Sequence, residues 1–161
     1  MTATRKKRRE IQALLGFLVT ALLVATVGGV LTSPNAASMF ENLHRPSWAP
    51  PGRVFGPVWS VLYIMIAVSG WLAWRRGLSR AGASWYAAQY GFNLAWSFLY
   101  FHLAMPRAAL TALVVLLACI LGTMAAFARL SRPAAALLVP YALWVAFAGV
   151  LNLAIIRLNA F

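Results

Sequence analysis

The feature that most constrains this chain is a series of five apolar stretches, each about as long as a helix that crosses a bilayer. They cover residues 11–31, 54–74, 83–102, 107–130 and 134–158. A spanning helix needs roughly 20 apolar residues. These stretches are apolar on every side, whereas the strands of a membrane barrel alternate. Only 10% of the 161 residues are charged, too few to cover a soluble globule. The sequence therefore predicts an all-α membrane protein, a five-transmembrane-helix bundle formed by one domain (residues 11–161).

The basic residues flank the apolar stretches unevenly. Ten of the 14 Lys and Arg lie in residues 1–10, in the connection after the second stretch, or in residues 129–132 around the end of the fourth. Because basic loops stay on the cytoplasmic side, we expect a cytoplasmic N-terminus, and a bacterial inner membrane as the site. The net charge of +12 follows this flanking pattern, so no nucleic-acid partner is predicted. The first stretch exceeds the apolar part of a signal peptide and is interpreted as a retained helix.

Residues 32–53 form the one long connection in this scheme, and they include the string HRPSWAPPGR. Proline cannot continue a helix and restricts the residue before it. The connection is therefore expected to form a stiff cap over the outer end of the bundle. Three basic residues would lie at the mouth beneath it, where they could pair with carboxylates of a ligand: His44, Arg45 and Arg53.

The third stretch has two different faces. At about 100° per residue, its polar and aromatic side chains gather on one side: Gln89, Asn93, Trp96, Ser97 and Tyr100. Small residues repeat at every fourth position on the other side: Ala83, Ala87, Gly91 and Ala95. Such a stripe lets two helices approach closely in lipid. We expect it either to form a homodimer interface or to pack within the bundle.

The second and fifth stretches add further aromatic and amide groups to the interior. Trp59 and Tyr63 share a face of the second stretch. One face of the fifth carries Tyr141, Trp144, Ala148 and Asn152. Rings with a few amides suit a flat, apolar, conjugated ligand, although asparagines in lipid also serve simply to join helices. Pro140 is expected to kink or locally open the fifth helix.

The residues that are missing narrow the function. The middle of each span lacks a charged side chain, and ion-coupled pumps and exporters usually bury one. This disfavours a small multidrug exporter. The spacing of His44, His102 and Cys119 fits no metal site, so neither a metal nor a cofactor is predicted. Conventional acid–base catalysis also lacks its residues.

Three ordered motifs resemble one family. The strings are RPSWAPPGRVFGPVWSVLYIMIAVSGWLAW, QYGFNLAWSFLYF and PYALWVAFAGVLNLAIIRLN. They resemble the translocator protein family, also called tryptophan-rich sensory proteins or peripheral benzodiazepine receptors, over residues 35–159. The resemblance implies five transmembrane helices, often a homodimer, and a pocket capped by the first connection. It also implies binding of porphyrins such as protoporphyrin IX and haem, and of benzodiazepine-site ligands.

The same resemblance assigns residues to the site by motif position. Trp48 and Pro50 would belong to the cap. The pocket would comprise Trp59, Tyr63, Asn93, Trp96, Tyr141, Trp144, Ala148 and Asn152. Some bacterial members degrade protoporphyrin in light through a tryptophan pair, to which Trp59 and Trp144 would correspond. Animal members carry a tyrosine-containing cholesterol pattern late in the fifth helix. Here Leu153 and Ala154 follow the LN pair, which indicates a bacterial member and gives no basis for sterol binding.

The prediction is a membrane receptor or translocator that binds porphyrins and serves tetrapyrrole transport or stress sensing. Two alternatives stay open. One is a light-dependent protoporphyrin-degrading enzyme, and the other is a regulatory scaffold without transport.

Overall fold

The computed structural model describes residues 3–159, and only the backbone of residues 33–42. The described chain is helical, without a strand. Its helices are α1 (Ala3–Asn42), α2 (Phe55–Trp74), α3 (Arg80–Ser97), α4 (Pro106–Ala128), α5 (Arg132–Leu137) and α6 (Val139–Asn159). A 3-10 turn, Gly52–Val54, leads into α2, and a π-helical turn, Phe98–His102, extends α3.

Four helical stretches of the described chain are long and apolar enough to cross a membrane. They are Ala3–Thr32, Gly52–Trp74, Pro106–Ala128 and Arg132–Asn159. Together they indicate a multi-pass membrane protein. Helix α3 is not among these four, because buried polar residues such as Gln89 and Asn93 lower its mean hydropathy.

The predicted cap is shorter than expected, because α1 continues to Asn42 and does not end near residue 31. The connection therefore begins at residue 43, and the predicted range 32–53 was wrong in its first half. The reason is that apolarity marks where lipid ends but not where a helix ends. Ala36, Ala37, Met39 and Glu41 are all good helix formers, and they carry α1 past the apolar stretch.

The fifth apolar stretch is interrupted at the predicted place. Helix α5 ends at Leu137 and α6 begins at Val139, just before Pro140. Proline has no N–H to donate to the preceding turn. The Leu138 N–H instead closes a tighter turn on the Ala135 carbonyl at 3.1 Å. The structure therefore confirms a local opening at Pro140.

The helices close into a ring. Helix α1 lies against α2 and α3, α3 packs along α4, and α4 contacts α5 and α6. The ring closes where α5 contacts α2, and there the Ser69 hydroxyl donates to the Ala134 carbonyl at 2.7 Å. Serine hydroxyls cap the N-termini of α3 and α5, which follow short connections. Ser79 Oγ accepts from the Gly82 N–H at 3.1 Å, and Ser131 Oγ accepts from the Ala134 N–H at 3.4 Å.

The first residues of α1 are joined to the last turn of α2. The Trp71 indole N–H donates to the Glu10 carbonyl at 2.9 Å, and the Glu10 carboxylate pairs with Arg75 at 3.2 Å. The Arg9 guanidinium lies 5.4 Å from the ring centroid of Trp74. These contacts bring the basic N-terminal residues and the basic α2–α3 turn to the same end of the bundle.

Gly70 marks the tightest junction among α1, α2 and α3. A Cβ built there would lie 2.6 Å from the Tyr86 hydroxyl oxygen and 2.9 Å from Phe17 Cε1. The Tyr86 ring has little room to move, because its hydroxyl bonds the Ile66 carbonyl at 3.1 Å and its ring stacks on Phe127.

We therefore expect Gly70→Ala to lower the free energy of unfolding by about 1–3 kcal/mol through overpacking. The measurement is the thermal midpoint of the helical signal in detergent. Gly16→Ala is the matched control, since nothing lies within 4 Å of its added Cβ. A mid-helix alanine there should be neutral or stabilising by up to roughly 1 kcal/mol. Equal midpoints for both variants would contradict the packing described for Gly70.

Candidate functional site

A cavity of about 650 Å3 opens between α1, α2, α3 and the connection after α1. Its walls combine small residues, aromatic rings and a few polar groups. The lining residues are Ala25, Gly28, Gly29, Thr32, Arg45, Gly52, Phe55, Gly56, Trp59, Ser60, Tyr63, Asn93, Trp96, Ser97 and Phe101. This volume falls within the range of roughly 300–1,000 Å3 that is usual for small-molecule sites.

Small residues of α1 create the space. Nothing lies within 4 Å of a Cβ built at Gly29, and one built at Gly28 would make ordinary contacts at 3.7 Å with the Tyr63 hydroxyl and with Leu94 Cδ2. Ala25 continues the same wall one turn earlier. Larger side chains at these positions would fill the cavity from the α1 side.

Aromatic rings of α2 and α3 form the other wall. The indoles of Trp59 and Trp96 are stacked, with centroids 6.0 Å apart and planes at 30°. The Tyr63 ring lies 5.7 Å from Trp59, tilted by 34°. Ring pairs of this kind stabilise each other beyond simple burial, so this wall of the cavity is aromatic.

Polar groups in the wall are joined across helices. The Tyr63 hydroxyl donates to Asn93 Oδ1 at 2.6 Å, and Asn93 Nδ2 approaches the Tyr141 hydroxyl at 3.5 Å. The indole N–H of Trp96 is buried and has no partner among the described residues. A buried N–H left without an acceptor is costly in lipid. The Trp96 ring lines the cavity, but its indole nitrogen is itself covered by protein.

Four of the ten residues predicted to bind ligand line this cavity: Trp59, Tyr63, Asn93 and Trp96. Of the three predicted at its mouth, Arg45 lines it, whereas Arg53 and the His44 side chain are exposed and do not.

The fifth apolar stretch lies elsewhere than expected. Trp144 packs against Phe55 and Phe147, with centroids 5.6 and 5.5 Å away, and borders a separate apolar groove between α2 and α6. Tyr141 is buried behind the cavity wall, 6.0 Å from the Trp59 ring. Among the described residues, α1 lines the cavity in the place where α6 was expected. The physical reason is side-chain volume, since the glycines of α1 leave space open on their side, whereas Trp144 of α6 packs against Phe55 and Phe147.

The remaining predicted residues have structural contacts. With its amide oriented to suit both neighbours, Asn152 donates to the Pro106 carbonyl at 3.2 Å and accepts from the Leu110 N–H at 3.3 Å. Ala148 is buried. Trp48 is 49% exposed, and its ring meets Phe147 edge-on at 5.9 Å. Pro50 is half-buried outside the lining.

Sequence reasoning missed the contribution of α1. The signal was present as adjacent glycines, Gly28 and Gly29, within an otherwise apolar span. Glycine in a spanning helix indicates either a close approach or open space. Ser60, Ser97 and Phe101 also line the cavity without having been assigned to it.

Comparison with known proteins agrees with the motifs. The family model described as the TspO/MBR family matches residues 17–158. The chain belongs to the TspO/MBR family. It is 39% identical to the tryptophan-rich protein TspO of Chlorobaculum tepidum, over 94% of this chain and 98% of that one. It is 33% identical to the protein of the same name from Archaeoglobus fulgidus, over 94% and 99%. It is 31% identical to the human translocator protein, over 90% and 89%.

The hydrogen bond between Tyr63 and Asn93 gives a prediction for this TspO/MBR site. Tyr63→Phe leaves the Asn93 oxygen buried without its donor, so we expect the free energy of unfolding to fall by about 1–3 kcal/mol. Thermal unfolding in detergent measures it. Ser60→Ala on the same helix removes a hydroxyl that bonds only the Gly56 carbonyl one turn back, and it should change stability by less than about 0.5 kcal/mol. If Tyr63→Phe is as mild as Ser60→Ala, the bond carries no stability.

Proposed function

We propose that this chain is a membrane receptor that binds a porphyrin in the cavity between α1, α2 and α3. Protoporphyrin IX or haem would be the ligand, and benzodiazepine-site compounds would occupy the same space. The observation that carries the proposal is the stacked pair Trp59 and Trp96 on a wall of a cavity of about 650 Å3. A planar conjugated ligand gains most from such broad π faces.

Charge and polarity support the same ligand class. Arg45 brings a positive charge to the cavity, and a guanidinium pairs strongly with carboxylates such as those at a porphyrin edge. Asn93 adds an amide to the cavity lining. Few other polar groups reach the cavity, which suits a ligand that partitions from lipid.

The bundle would cross the membrane five times, with α3 and its π-helical turn as the additional span. Arg80–His102 extends for about 34 Å at 1.5 Å per residue, enough to cross the hydrocarbon core. Its polar residues Gln89 and Asn93 are buried within the ring, whereas Ala83 and Ala87 on the outer side are exposed. The basic end of the bundle would lie on the cytoplasmic side of a bacterial inner membrane. Five crossings would then place the C-terminus on the opposite side.

The role after binding rests on the relatives. Several are named translocator protein and one is named tryptophan-rich sensory protein. We propose a part in tetrapyrrole transport or in sensing of stress through a bound tetrapyrrole. The regulatory scaffold differs from this only in lacking flux, which uptake into proteoliposomes beyond binding stoichiometry would reveal.

Light-dependent porphyrin degradation is the second candidate. Indoles in contact with the ligand would favour it, because tryptophan can be oxidised without acid–base residues. The stacked pair on the cavity wall is Trp59 with Trp96, whereas Trp144 borders the separate groove. We therefore assign any photochemistry at this site to Trp59 and Trp96 in place of the Trp59–Trp144 pair.

Reducing the Trp96 ring face tests porphyrin binding. We expect Trp96→Phe to raise the Kd for protoporphyrin IX by up to about tenfold, from the loss of part of a ring stack. The shift of the porphyrin absorbance band on titration measures it and does not depend on the number of tryptophans.

Trp85→Phe is the matched control for that titration. Trp85 lies on the same helix, is 46% exposed, and faces Gly122 outside the cavity. Its Kd should stay within about twofold of the unmodified chain. Saturable binding with the same Kd in all three proteins would place the porphyrin elsewhere.

We further propose that two copies associate through the small-residue face of α3. Ala83, Ala87 and Gly91 are exposed and Ala95 is half-buried, so this stripe does not pack within the bundle. A Cβ at Gly91 would meet nothing within 4 Å, which leaves room for a second backbone to approach.

Gly91→Leu should therefore shift the particle toward monomer. Leucine would hold the two helices apart by its added bulk, and size-exclusion chromatography with light scattering gives the mass. The control is Gly149→Leu on α6, where a Cβ also meets nothing within 4 Å and which should leave the mass unaltered. A dimer that survives Gly91→Leu forms through another face.

A further inference from the structure

The end of α6 is bonded to the backbone of the connection that follows α1. The His44 N–H donates to Asn159 Oδ1 at 2.8 Å, and Asn159 Nδ2 donates to the His44 carbonyl at 2.8 Å. The second Nδ2 hydrogen goes to the Ile155 carbonyl at 2.9 Å, one turn back on α6. Both donors of this amide are therefore used, and its orientation is determined from within its own helix.

Few backbone hydrogen bonds form within the described part of the connection itself. Pro46, Pro50 and Pro51 contribute no N–H. Its backbone closes one turn, from the Ala49 N–H to the Pro46 carbonyl at 3.0 Å, before the 3-10 turn that leads into α2. Prolines keep such a segment stiff but do not attach it to the bundle. The paired bonds from Asn159 make that attachment, and the edge contact of Trp48 with Phe147 adds to it.

The attached residue lies next to the cavity. Arg45 directly follows His44 and lines the cavity, and Gly52 at the other end of the connection lines it as well. A shift of the His44 backbone would therefore carry Arg45 away from the mouth. The connection between them would move as one stiff piece.

We propose that Asn159 is a positioning residue that holds residues 43–51 over the cavity and so limits how fast a ligand enters and leaves. This inference rests on the proposed binding of a porphyrin in that cavity. Asn159 itself does not line the cavity. It acts through the backbone of His44 and the position of Arg45.

The amide is required in this role, and not merely a side chain of its size. Asn159→Asp has nearly the same shape but loses both N–H donors and would set a carboxylate against the carbonyls of His44 and Ile155. Asn159→Ala removes the group altogether. Both variants should release the connection. Leu158→Ala is the control, since Leu158 is the neighbouring exposed residue and takes no part in these bonds.

The first measurement needs no ligand. Hydrogen–deuterium exchange of the full chain, read by mass spectrometry over residues 43–51, should become about tenfold faster in Asn159→Asp and Asn159→Ala, as expected for losing hydrogen bonds of ordinary net strength. Exchange in α4 should be unaltered, which separates release of the connection from general destabilisation. Leu158→Ala should exchange like the unmodified chain.

The second measurement follows protoporphyrin IX by stopped-flow absorbance. A released connection should speed both association and dissociation, and dissociation by about tenfold. Trp96→Phe, by contrast, should speed dissociation alone. A rise in both rates is what a purely structural role of Asn159 would not produce.

Faster exchange over residues 43–51 together with faster porphyrin kinetics in both Asn159 variants supports the proposal. Unaltered exchange, or faster exchange with unaltered kinetics, overturns it. If the unmodified chain takes up no protoporphyrin IX, the proposed function fails, while the exchange comparison still decides whether Asn159 holds the connection.

Discussion

The structure depends on one constraint: polar groups inside a lipid-embedded bundle must find their partners within the protein. One chain of hydrogen bonds that meets this constraint links α2, α3 and α6 through Tyr63, Asn93 and Tyr141. The Ser69 hydroxyl does the same between α2 and α5. Because apolar side chains gain little from leaving lipid for each other, such bonds, together with close packing at Gly70, determine which helices are neighbours.

Three buried side chains among the described residues are exceptions to that rule. Trp96 has a buried indole N–H without a partner among the described residues, and it lies on the cavity wall. Trp144 has another beside the groove between α2 and α6. The Gln89 amide is also buried without a described partner, and nothing in the structure accounts for it. Of these three residues, only Trp96 lines the cavity between α1, α2 and α3.

The sequence predicted what apolar and polar periodicity controls. The bounds of α2 and α4 lie within a few residues of the predicted ones, and the inward face of α3 was found because polar residues in lipid can face only one way. Sequence reasoning failed for α1, whose length beyond the lipid depends on helix propensity and not on hydropathy. It failed again for the cavity wall. Empty space reflects side chains that are absent, as at Gly28 and Gly29. In addition, short connections do not determine the order in which the helices are arranged around the bundle.

The two faces of helix α3 make different contacts, which explains why the helix combines polar and aromatic residues with small ones. Its inner face holds Asn93 and Trp96 against the cavity, while its outer face exposes Ala87 and Gly91. Polar residues inside and small residues outside lower the hydropathy of α3, so that it is not among the four described helices that are apolar enough to cross a membrane. In the proposed dimer the outer face would be covered by another protein surface and not by lipid. The contact between the two copies would then support α3 on its outer face. The stacked indoles and the Asn93 amide would therefore keep their positions when a ligand binds against them.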